Sequence, residues 1–212
     1  SSTVQVEAGR HQVDAALALQ SDVNLKPISG AGLVLGGAIS GAGDVVKQNG
    51  GELTLGGANT FDGDLRLTSG NLTLTNGATA GTGTLSLEVN GSQVRASGAT
   101  PSVLACNVAV RYATNVVINV DQASRLEFGG ELRYENPAYS MLNKQGGGEL
   151  TLSGSANAPT DNARVILQEG TVRFASGANC RIGNAANDIV KMDADNNRLR
   201  TLAVDQGANV TL

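Results

Sequence analysis

A nine-residue segment occurs twice in this 212-residue chain, and that recurrence limits the fold more than any other feature. Lys47-Gln48-Asn49-Gly50-Gly51-Glu52-Leu53-Thr54-Leu55 returns as Lys144-Gln145-Gly146-Gly147-Gly148-Glu149-Leu150-Thr151-Leu152, identical at eight of nine positions and offset by 97 residues. The similarity spreads to both sides. Leu33-Val34-Leu35-Gly36-Gly37 answers Leu126-Glu127-Phe128-Gly129-Gly130 at an offset of 93, and Gly70 within Ser69–Leu74 answers Gly170 within Glu169–Phe174 at 100. Offsets that grow in small steps mark insertions in turns between matched strands. The copies span about 33-75 and 126-175. A partial third begins at about 204, where Val204–Leu212 echoes Val120–Phe128. Repeated units of this kind bury their apolar faces against their neighbours. We therefore expect one domain over 1-212.

Within a copy a shorter period appears. Leu33-Val34-Leu35, Leu53-Thr54-Leu55 and Leu72-Thr73-Leu74 alternate apolar and small or polar residues, and their starts lie 20 and 19 residues apart. Alternation with period two turns one face of a strand inward, and the adjoining glycines turn the chain. Such a period is too short for a strand–helix–strand unit. A β-sandwich is the competing all-β reading, but the near-constant rung favours a right-handed parallel β-helix, a solenoid of roughly 20 residues per coil. At the ordinary strand spacing of about 4.8 Å this predicts about ten coils and a rod roughly 45–50 Å long. Val13–Leu19 reads either as a helical turn or as another rung. Aromatic residues are only 3% and tryptophan is absent, so the core must be aliphatic and narrow.

The first copy resembles the autotransporter-associated β-strand repeat. That pattern is carried by Ile39-Ser40-Gly41-Ala42-Gly43-Asp44-Val45-Val46-Lys47, Gly50–Leu55, Gly56-Gly57-Ala58-Asn59-Thr60-Phe61-Asp62-Gly63 and Ser69–Leu74. The second copy keeps Lys144 through Gly154, departs at Ser155–Thr160, where the aromatic and the glycine turn are missing, and recovers at Val165–Phe174. The resemblance implies a β-helical passenger, secreted or at the cell surface of a Gram-negative bacterium and associated with the outer membrane. It implies a scaffold and says almost nothing of activity.

The remaining residues direct chemistry elsewhere. A net charge of −4 with scattered lysines, Lys26, Lys47, Lys144 and Lys191, is not the basic stripe of a nucleic-acid binder. No apolar window reaches the about 18 residues of a spanning helix, so membrane attachment is expected only through parts outside this chain. His11 has no nucleophile motif beside it. Cys106 and Cys180 are expected three to four coils apart, too far for a disulfide. Asp193–Asn197 lacks the glycine and closing glutamate of a calcium loop, and Asp62-Gly63-Asp64 reads as a solvated turn. Glu52 and Glu149 take the same place in two copies, which points to structure, since an active site is needed once. Phe61 and Phe174 are expected to pack, Asn59 and Asn157 to stack in turns, and Tyr112, Tyr134 and Tyr139 have no assigned place. No catalytic, cofactor-binding or metal-ligating residue is assigned, no cofactor is expected, and an enzyme is not. The expected function is a structural or adhesive surface module, with end-to-end filament formation as a related expectation. Its partners would be other copies of itself or surface and host glycans and proteins. The alternative is a glycan-binding or glycan-degrading β-helix. Function is expected between the repeats, along the less regular stretch Asn76–Asn119, or in parts of the protein outside this chain.

Overall fold

Short alternating strands separated by glycine corners have one economical way to bury their apolar sides, which is to wind and stack. The computed structural model describes residues 1–88, 90–111, 115–135, 140–158, 163–182, 190–192 and 200–211. It is a parallel β-solenoid. Three legs make each coil. First legs form a ten-stranded parallel sheet from Ser2–Val6 to Asn209–Thr211, and second legs form a nine-stranded one from Arg10–Val13 to Val190–Met192. Third legs form a pair, Leu17–Leu19 on Ile39–Gly41, and a five-stranded sheet from Ser102–Leu104 to Arg200–Val204. Leu17–Leu19 is thus a rung and not a helical turn. Ten stacked strands at about 4.8 Å give a rod about 43 Å long.

Each inward position continues as an axial ladder. Leu33, Leu53, Leu72 and Val94 stack in register, and Leu35, Leu55, Leu74 and Ala96 run beside them. All eight are buried. At roughly 1.5–3 kcal/mol for a fully buried aliphatic side chain, these ladders hold the coils together, since no coil could bury them alone. Phe61, Phe128 and Phe174 are also buried, and so is Tyr134, on top of Val110. The first- and second-leg ladders continue through the described part of the Asn76–Asn119 stretch, where Gln93–Ser97 pairs with strands on both sides.

Two expectations need correction. The coil is not constant. Val45 stands under Leu65 and Leu65 under Leu85, 20 residues per coil, but Val108 to Leu132 takes 24 and Cys180 to Val210 takes 30. Insertions between strands lengthen the later coils while the paired strands keep their register. Among the described residues, seven coils carry all three strands rather than the ten expected, because the third legs near Asn59–Phe61 and Thr79–Thr82 run without strands and the tenth coil shows only its first leg, Asn209–Thr211.

The second correction concerns the repeat. Lys47 ends a first leg and Glu52–Leu55 is a second leg, whereas Lys144 lies in the second-leg strand Ser140–Gln145 and Glu149–Leu152 is a third leg. The copies therefore occupy different faces of the rod. The offset of 97 residues equals four coils and one further side, so the repeat encodes a strand–corner–strand unit and not an address on the coil. The C-terminal echo behaves alike. Ser124 N–H donates to Asp121 O at 2.9 Å, and Ala208 N–H to Asp205 O at 3.1 Å, closing similar turns one face apart.

Candidate functional site

The most unusual chemistry lies inside the two repeated corners. Val45-Val46-Lys47 alternates so that Lys47 takes an inward position, between Leu25 below and Leu67 above. Lys144 likewise stands between Ile118 and Leu167. Both side chains are fully buried. The aliphatic stem extends a core ladder, and the ammonium emerges where the chain turns. Lys47 Nζ donates to Gln48 O at 3.0 Å, Asn49 O at 2.7 Å and, across the coil boundary, Ser69 O at 2.9 Å. Lys144 Nζ donates to Gln145 O at 2.8 Å, Gly146 O at 2.7 Å and Glu169 O at 3.0 Å. Three donors meet three carbonyls, which matches an ammonium's capacity.

The cage explains the residues around it. Asn49 and Gly146, the one mismatch in the nine-residue repeat, share a left-handed backbone with φ of 61° and 75°, and asparagine is among the few residues with a side chain that tolerate it. Gly70 and Gly170, matched at offset 100, are also left-handed, and a Cβ there would lie 2.6 Å and 2.9 Å from the lysine nitrogens. The downstream half of the repeat is therefore the far wall of the cage, one coil further on. Sequence reasoning treated these lysines as isolated. The inward parity of Lys47 and its identity in both copies were the signals available.

Burial pulls both ammonium groups down to about 8 from an ordinary 10.5, with Glu169 opposing the shift at Lys144. Between those values the unfolded chain holds more protons than the folded one, so stability should rise as pH climbs from 8 toward 10.5 and stay flat in this respect below 8. Urea midpoints at pH 7.5, 9 and 10 test this. A Lys47→Met, Lys144→Met double variant should lack the rise.

Other candidates are also tied into the stack. Ile39 N–H donates to Asn59 Oδ1 at 2.9 Å, and Asn59 Nδ2 donates to Thr79 O at 2.6 Å, so Asn59 bridges three coils as expected. Asp64 is not merely solvated. It accepts Thr84 N–H at 2.8 Å, while Asp44 accepts Asp64 N–H at 2.8 Å, and Asp62 accepts from Thr82 Oγ1 at 3.1 Å. Glu52 accepts Thr73 Oγ1 at 2.8 Å and pairs with Arg10 at 3.5 Å, reached over side-chain-free Gly32. Glu149 accepts Thr151 Oγ1 and Arg173 Nε, both at 3.0 Å.

His11 is exposed beside Ala8 O at 3.2 Å. Cys106 is a buried free thiol, pushed up by that burial. It precedes the strand Val108–Val110, and the strand holding Cys180 lies three rungs away, about 14 Å, as the spacing predicted. The side chains of Cys180 and Asn157, and Tyr112, Tyr139 and Asp193–Asn197, lie outside the described residues. Among the described residues no cluster of acidic, histidine or cysteine side chains is arranged to hold a metal ion.

Fold and corners together define the class: a parallel β-solenoid whose corners are locked by buried polar groups. Comparison with protein-family models, with characterised proteins and with solved structures finds no match to this chain.

Proposed function

We propose that this chain works as a structural or adhesive module outside the cell, a stiff rod that spaces or displays other parts. The observation carrying this reading is where the polar groups are spent. Lys47 and Lys144 clamp successive corners, Asn59, Asp44 and Asp64 accept or donate along the axis, and Glu52 and Glu149 pair with Thr and Arg on neighbouring coils. Side chains committed to the stack resist shear between coils, which suits a mechanical role. The likeness of the first copy to the autotransporter-associated repeat supports a secreted or surface location in a Gram-negative bacterium.

Association between copies belongs to the same reading. Val4, Val13, Leu17, Leu19 and Val23, on the first two coils, line an apolar cavity of about 140 Å³. An apolar mouth of this kind is a surface against which a second copy of the chain can bury its own aliphatic side chains. Negative-stain electron microscopy of the purified chain at rising concentration tests this. Particles multiplying the rod length along one axis are expected. Isolated rods at every concentration would remove self-association, and turnover of a polysaccharide abolished by one Asp substitution would remove the structural reading.

A further inference from the structure

Each lysine corner has the composition of a cation site. All six acceptors are backbone carbonyls, 2.7–3.0 Å from the nitrogen. The side chains around them differ, Asn49 against Gly146 and Ser69 against Glu169, yet the geometry repeats on two faces of the rod. The backbone therefore sets the cage.

Each corner also carries backbone bonds in which the ammonium takes no part. At the first corner Gln48 N–H donates to Leu25 O at 2.9 Å, Gly51 N–H to Pro27 O at 3.0 Å and Thr68 N–H to Lys47 O at 3.0 Å. At the second, Gly148 N–H donates to Val120 O at 3.0 Å, Gln168 N–H to Lys144 O at 2.9 Å and Thr171 N–H to Gly148 O at 3.1 Å. These bonds hold the chain on either side of the carbonyls that converge on the nitrogen. Gly70 and Gly170 keep the space open. Convergent carbonyl dipoles take the place of part of a monovalent cation's hydration shell, water supplying the rest. Asn49 and Gly50, which cover the first cage, are exposed, so solvent ions lie one residue away.

We propose that both corners are binding sites for monovalent cations of the ammonium and potassium class, which the chain fills with its own lysines. Truncating the lysine should open the site to the free ion.

The test is Lys47→Ala in the full chain, melted in ammonium, potassium, lithium and choline chloride at equal ionic strength. In choline the midpoint should fall by about 10 °C. Ammonium or potassium at about 100 mM should restore at least half of that, by the ordinary linkage of binding to stability. Lithium and choline should not. Lys47→Met, whose side chain fills the stem's volume, should show no ion preference, and the unaltered chain none. Lys144→Ala repeats the test on the other face and serves if Lys47→Ala does not fold. Selective rescue at either corner supports the proposal. Equal midpoints in all four salts, or failure of both alanine variants to fold even in ammonium, overturns it.

Discussion

Replacing Gly51 by alanine should lower the unfolding free energy by about 4 kcal/mol or more, whereas the same change at adjacent Gly50 should stay within about 0.5 kcal/mol. A Cβ on Gly51 would lie 2.5 Å from Ala31 O and 2.7 Å from Pro27 O, with Ile28 O nearer still. None of those atoms can swing away. They belong to the corner of the coil below, which holds Gly51 N–H at 3.0 Å and Glu52 N–H at 3.0 Å. Relieving the clash means lifting one coil off the next and losing both bonds together with part of the leucine ladder. A Cβ on Gly50 meets nothing closer than Ser29 Cβ at 3.5 Å, an ordinary contact. Gly148 and Gly147 repeat the contrast. Gly148 would crowd Ser124 O at 2.5 Å, while Gly147 would meet Gln122 Cβ at 3.6 Å. For a chain of this size the expected drop corresponds to about 8–16 °C in the melting midpoint. Four single variants followed by circular dichroism suffice, and a similar loss at Gly50 and Gly51 would discard the close-approach explanation.

Lys47→Met should cost about 3 kcal/mol at pH 7. Methionine keeps the stem's volume between Leu25 and Leu67 and removes a buried charge, which by itself is favourable. Against that, Gln48 O, Asn49 O and Ser69 O lose their shared donor, and each buried group left unpaired costs about 1–3 kcal/mol. The second effect wins because three carbonyls lose one shared donor and the methionine side chain offers no hydrogen bond in its place. Lys47→Arg should fare no better, since a planar guanidinium does not fit a site sized for one nitrogen. Lys144→Met should lose a comparable amount. The two losses should add, because the corners lie four coils apart with no shared partner. Denaturant titration of both singles and the double measures this. Unchanged stability in Lys47→Met would mean that the cage contributes no net hold between coils.

Much of this molecule was legible as sequence. The alternation in Leu33–Leu35, Leu53–Leu55 and Leu72–Leu74, with turn glycines about twenty residues apart, determined parallel rungs in register, and those three segments do stack on one sheet. Period and polarity suffice there because a near-constant spacing of about twenty residues brings each alternating segment back onto the same face, where stacking buries its leucines. The packing of Phe61 and Phe174 and the bridging role of Asn59 were readable for the same reason. Only the tertiary structure decided which face each copy of the repeat occupies, because that depends on summed insertions over 97 residues and not on any local pattern. It alone showed why Gly51, Gly70 and Lys47 recur. Their partners, Ala31 O, Asn49 O and Ser69 O, sit at the corner of the same or an adjacent coil. A backbone carbonyl carries no mark in the sequence of where it points, so a site built almost wholly from carbonyls becomes visible only once the chain is wound.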